Sequence, residues 1–211
     1  MTVGIYLLII LVLGYISVYL RENYLEFKWM LPLTFVGIFI HESAHALLCL
    51  LTGGRVTGFR VTPHEGSVTH YRPKVPIIGP MLTAIAPMLV GLIVMGIVSH
   101  FWLNTAITIN STNMWQAILK VFASLNPLTL HAWILALILL NIGVMLGPSI
   151  EDLKSIWPLI ILSFFIHSTS LAEILTLVIA LISVNIFLFV LIIIARIFLL
   201  KRRQRVGFIS S

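Results

Sequence analysis

The run from Trp29 to Leu51 is apolar enough to cross a bilayer, yet its second half carries His41, Glu42 and His45. No other stretch restricts the chain as much. On a helix, His41 and His45 lie one turn apart on the same face. Two imidazoles at that spacing can grip one Zn²⁺, and a Glu beside the first is placed to act on a water held by that metal. Ionisable groups inside a membrane are costly, so such a cluster marks a functional site by default. The plainer alternative is a pair of histidines hydrogen-bonded to neighbouring helices.

The rest of the chain decides whether that run is a membrane span. Of 211 residues, 60% are hydrophobic and 9% charged, with a mean hydropathy of +1.11. No soluble domain of this size is so apolar, so a polytopic membrane protein is expected. The single Cys49 excludes an internal disulfide and a Cys-rich metal site. It falls one turn beyond His45, where it either approaches the metal or fills space as a small core residue. The net charge is +6, with basic residues gathered in loops and at the C-terminus. That pattern suits anionic lipid headgroups and membrane topology, and no nucleic-acid partner is expected.

In chain order, residues 3–20 predict a first spanning helix, with no small-residue cleavage site and no basic residue before it, so a removable signal peptide is not expected. A polar connector, Arg21–Lys28, leads to the second helix at 29–51, which Gly53-Gly54 ends. Residues 55–73 read as two short strands around the turn Pro63-His64-Glu65-Gly66, or as a plain structured loop. The free edge of such a hairpin could accept an extended peptide. His64, Glu65 and His70 fit no compact metal motif.

A third helix is expected at 75–102, kinked or broken by Pro80 and Pro87. Residues 103–115 are polar and include the sequon Asn110-Ser111-Thr112. Residues 115–125 predict an interfacial or re-entrant helix ended by Asn126-Pro127. Further spans follow at 129–146, at 156–167 with Pro158 in an early turn, and at 171–199. The expected fold is therefore all-α and polytopic, with about six transmembrane helices and a small β-hairpin after the second. One domain covers 1–211: a core at about 30–155, C-terminal spans at 156–200 and a basic tail at 201–211. Six spans put both termini on one side, and Lys201–Arg205 assigns that side to the cytoplasm of a cell membrane. Arg55, Arg60, Arg72, Lys74 and Lys154 share it, which sets His45 and Asp152 near the cytoplasmic half.

Two histidines leave a catalytic zinc one protein ligand short. Asp152 is the only aspartate in the chain and follows a helix–turn break on the predicted membrane side of His45. It is the leading candidate, with Glu151 as the alternative. Pro148-Ser149-Ile150-Glu151-Asp152 also reads as a helix start with Ser149 as N-cap. A cap that fixes where Asp152 points can serve both purposes. Asn141 and Asn185, each within an apolar span, are candidates for supporting the site, for binding substrate or for interhelical contacts.

From about residue 30 to 155 the chain resembles the site-2 protease family of intramembrane zinc metalloproteases. The resemblance rests on His41-Glu42-Ser43-Ala44-His45, the Gly-Gly loop with its hairpin, and the distant aspartate. It implies zinc held by His41, His45 and Asp152, with Glu42 as general base. It also implies a transmembrane protein substrate that unwinds and is cut within the bilayer. Strand residues Ser67, Val68 and Thr69 would hold that substrate extended. The family's Gly-Pro-x-x-Asn reads Gly79-Pro80-Met81-Leu82-Thr83 here, which puts Thr83 at the substrate-positioning place. Its Leu-Asp-Gly is replaced by Ser149-Ile150-Glu151-Asp152, as in a divergent branch. No PDZ or CBS module is expected in the chain, so regulation of that kind would come from a membrane partner. Three rival readings remain: a membrane zinc protease of another class with Glu151 or Glu173 as third ligand, a metal transporter or sensor, and a catalytically dead relative acting as a chaperone.

Overall fold

The computed structural model describes residues 2–71, 73–76, 78–102, 113–126 and 128–207. Arg72, most of the 103–115 connector with its Asn110-Ser111-Thr112 sequon, and Pro127 lie outside the described residues. In chain order the elements are α1 (Val3–Tyr24), α2 (Leu31–Leu51), β1 (Arg55–Val61), β2 (Gly66–Tyr71), α3 (Ile78–Trp102), α4 (Met114–Ser124), α5 (Leu130–Leu146), α6 (Ile150–Ser163) and α7 (Thr169–Gly207).

Local chemistry sets most of these boundaries. Pro32 sits in the first turn of α2, where its missing N–H costs no helical bond. Gly53 follows that helix at φ 78, a left-handed conformation that favours glycine. Asn113 caps α4 by accepting from the Trp115 and Gln116 amides, and Thr129 caps α5 by accepting from Ala132. Ser149 caps α6, so that helix begins at Ile150, and Pro158 lies inside it instead of in an early turn.

Among the described residues, three helices, α1, α2 and α7, are long and apolar enough to cross a membrane. The α5–α6 pair, bent by 84° at Gly147-Pro148, is a fourth if counted as one span. The six spans read from sequence counted α5 and α6 separately. In the structure the two meet at this bend, and their far parts lie against different elements. Asn141 of α5 bonds to Leu33 near the start of α2, whereas Phe164, just past α6, lies against Gly4 of α1.

Where the two termini lie relative to each other follows from how α1 and α7 pack. The amide of Val3 donates to Ile166, Ser17 bonds to Asn185, and Arg196 donates to the Tyr24 carbonyl. Helices α1 and α7 therefore run side by side in the same direction. Residues 3 and 207 fall at opposite ends of the bundle, not on one side. Gly53 packs on Lys74 just past the end of α2.

Between the helices the packing relies on small residues, as expected where lipid removes the hydrophobic drive for association. Gly14 meets Gly147, and Gly143 meets both Ser17 and Asn185. Asn185 is fully buried and donates to the Leu139 carbonyl, tying α7 to α5. Leu139, Ile142, Ile179, Leu181 and Ile182 fill the centre.

The hairpin is antiparallel, with Arg60 opposite Ser67, Phe59 opposite Val68 and Gly58 opposite Thr69. An irregularity between Val56 and Gly58 leaves Thr57 out of register, and its hydroxyl donates to the Thr69 carbonyl. The hairpin does not stay at the end where it begins. Gly54 lies against Cys49 near the end of α2, Phe59 packs edge-on against Phe39 at 6.2 Å, and the tip carbonyls reach Arg21 of α1. It thus folds back along α2, so its tip meets Arg21 near the end of α1.

Candidate metal centre

His41, His45 and Asp152 each offer a ligand atom, all within 4.8 Å of one another. Helix α2 supplies the histidines from one face, and the first turn of α6 supplies the carboxylate. The ring nitrogens are sorted by their outer partners. His41 Nδ1 lies 3.2 Å from the Met145 carbonyl, and His45 Nδ1 lies 2.8 Å from the Thr83 carbonyl. A carbonyl can only accept, so each Nδ1 carries the proton and each neutral Nε2 presents a lone pair inward.

The two Nε2 atoms are 3.1 Å apart. Two facing lone pairs at that distance repel, and a cation between them removes the conflict. Asp152 Oδ1 is 3.5 Å from His45 Nε2, and Oδ2 is 3.9 Å from His41 Nε2. Bonds of about 2.0–2.1 Å at tetrahedral angles set ligand atoms about 3.3 Å apart. The donor set and its spacing therefore fit Zn²⁺.

Asp152 is aimed by the cap of α6. Its Oδ2 accepts from the Ser149 amide at 2.9 Å and from the Ser149 hydroxyl at 2.6 Å, while its own amide donates to Ser149 Oγ at 3.1 Å. Oδ1 is left facing the histidines. Glu151 does not join the cluster: its side chain is 80% exposed and pairs with Lys154 at 2.6 Å. Glu173 sits on α7 and does not join the cluster.

Glu42 follows His41, and both border a cavity of about 380 Å³. Tyr15 and Tyr19 of α1, Gly66 of the hairpin and Ser149 at the α5–α6 break also line it. Gly66 presses on Glu42: a Cβ there would overlap Glu42 Cγ and lie 2.8 Å from Oε1.

The other sequence candidates fall in different places. Ser67, Val68 and Thr69 lie on β2, with Ser67 and Thr69 exposed. The Thr62 amide donates to the Glu65 carbonyl at 2.8 Å, so Thr62 and Glu65 are a bonded pair. Antiparallel alternation then turns the backbone groups of Gly66 and Val68 toward the outer edge. Thr83 contributes its carbonyl to His45, and its hydroxyl donates within α3 to Gly79.

Asn141 is engaged with helix backbone: it donates to Leu33 and Leu137 at 2.8 Å and accepts from the Gly37 amide at 2.6 Å. It holds α2 one turn before His41. Cys49 packs at the base of the hairpin, where its thiol points to the Tyr71 carbonyl and away from the histidines.

Sequence reading missed Arg21, taken as part of a polar connector. It belongs to α1, is 4% exposed, and joins three elements. An arginine ending an apolar run was the available signal, but nothing in the sequence names its partners.

A model of the Peptidase M50B-like family matches residues 3–194. No curated protein and no solved structure matches the chain significantly.

Proposed function

The chain belongs to the Peptidase M50B-like family, and from that premise we propose that it is an intramembrane zinc metalloprotease that hydrolyses peptide bonds in or near transmembrane segments of other proteins. The observation that carries this reading is the meeting of His41, His45 and Asp152 with their lone pairs turned inward beside Glu42. His41, His45 and Asp152 would hold the metal, in preference to Glu151. A bound Zn²⁺ supplies Lewis acidity, polarising the scissile carbonyl and acidifying a water.

Glu42 takes a proton from the attacking water and returns it to the leaving amine, so that water and one peptide bond give a carboxylate and an amine. Met145 and Thr83 keep the two rings oriented through their carbonyls. Ser149 keeps Asp152 oriented through Oδ2. The cavity beside Glu42 would receive the substrate segment. Intact helix resists hydrolysis because its carbonyls are bonded and packed. Pairing with the outer edge of β2, through Gly66 and Val68, would hold the segment extended, with Ser67 and Thr69 flanking it. We read the protein as a multi-pass protein of a cell membrane, with α1, α2, α3, the α5–α6 pair and α7 each crossing.

Reconstituted protein is tested on a single-span reporter whose transmembrane segment contains a Gly-Pro pair. Zinc-loaded wild type should cut within or beside that segment, and Glu42→Ala should not. Cutting that survives Glu42→Ala, or zinc-loaded wild type that leaves every such reporter intact, would overturn the assignment.

A further inference from the structure

We propose that Arg21 is a positioning residue for the reaction, tying the hairpin tip down so that β2 is held against Glu42. This rests on the protease reading above for its consequence, though not for the tie itself. The guanidinium Nε donates to Thr34 Oγ1 at 3.3 Å, and Nη2 donates to the Pro63 carbonyl at 2.9 Å and the His64 carbonyl at 3.0 Å. One side chain thus links α1, α2 and the turn of the hairpin. Two residues beyond His64, Gly66 rests on Glu42. Because strands alternate with a fixed period, anchoring the tip also fixes which backbone groups of β2 face outward at Glu42.

A helix-end role does not explain this geometry. A cation in the last turn of a helix stabilises it through that helix's own terminal carbonyls. The Arg21 guanidinium instead reaches the carbonyls of Pro63 and His64, 42 and 43 residues away in sequence. Burial of a cation among apolar helices is expensive, and such groups are retained where they serve a site. A two-stranded hairpin is marginal by itself, so its placement depends on ties of this kind. Carbonyl partners suit the task, because a turn whose side chains are Pro63, His64 and Glu65 offers its backbone oxygens to any planar, multidentate donor.

The test uses full-length protein in lipid nanodiscs, with Arg21→Met and Arg21→Lys. Methionine keeps an apolar stem and removes every donor, so the helices should stay packed. Lysine restores a cation but not the planar fork, so it can engage the turn carbonyls only in part. Hydrogen exchange of the 62–68 segment should rise at least tenfold in Arg21→Met, with α5, α7 and zinc content unchanged. Reporter cleavage should fall at least tenfold, and Arg21→Lys should recover part of both. Exchange of 62–68 within twofold of wild type in Arg21→Met would overturn the tie. Raised exchange with undiminished cleavage would overturn its role in positioning. Should wild type neither hold zinc nor cut, the protease reading fails, while the exchange comparison still decides whether Arg21 holds the hairpin.

Discussion

Replacing Ser149 with alanine separates the aiming of Asp152 from its presence. The hydroxyl makes two bonds to one residue, accepting from the Asp152 amide at 3.1 Å and donating to Oδ2 at 2.6 Å. Losing the N-cap costs about 1 kcal/mol of helix stability. A hydrogen bond to a charged group contributes about 1.5–3 kcal/mol. The Ser149 amide still holds Oδ2 at 2.9 Å, so the lower end of that range applies to orientation. At about 1.4 kcal/mol per tenfold, roughly 1.5–2 kcal/mol corresponds to a 10–30-fold loss of zinc affinity. Removing a donor also leaves the carboxylate slightly more basic, which favours metal. Losses of about 10–100-fold for outer partners of metal ligands show that orientation outweighs this gain. Competition against a chromophoric chelator in detergent measures the affinity. Ser149→Thr, which keeps a hydroxyl, should stay near wild type. Affinity in Ser149→Ala within threefold of wild type would refute the claim that the cap aims the ligand.

Two other substitutions probe the frame around the site. Asn141→Leu removes the amide that engages Leu33 and Gly37, at about 0.6 kcal/mol per interhelical bond and up to about 1.7. Thermal unfolding in detergent should occur several degrees lower, and zinc affinity should weaken because His41 is one turn away; an unchanged midpoint would contradict this. Gly143→Ala would drive a methyl into Ser17 and Asn185, an overpacking that costs about 1–3 kcal/mol. Denaturant titration should show that loss, with part of it recovered in the Ser17→Ala, Gly143→Ala double variant; a neutral Gly143→Ala would contradict the close approach.

What the sequence made legible was local. His41, Glu42 and His45 share a helix, so a four-residue spacing was enough to bring the histidines together. The β-branched run around Pro63-His64 suggested two strands or a plain loop, and Ser149 suggested the start of α6. What it hid depended on which elements become neighbours. Apolar stretches at 129–146 and 156–167 look like two spans until the 84° bend and the packing of Phe164 on Gly4 are seen. Nothing in the residues of α1 and α7 states that they run parallel. Arg21 reads as a connector cation because its partners are backbone carbonyls, which carry no sequence signature. Asn141 is a similar case, since an amide in an apolar span can serve a substrate or a neighbouring helix, and here it bonds to α2. Asp152 was legible as a candidate ligand because it is the chain's only aspartate and follows a helix–turn break; its aim depends on a cap and a chain reversal.

The central claim is that His41, His45 and Asp152 form one zinc site served by Glu42. Elemental analysis of protein purified in detergent, on wild type, Glu42→Ala, Glu151→Ala and Asp152→Ala, tests it most directly. About one zinc per chain is expected in the first three, and strongly reduced zinc in Asp152→Ala. Zinc retained in Asp152→Ala but lost in Glu151→Ala, or wild type that binds none, would contradict the account.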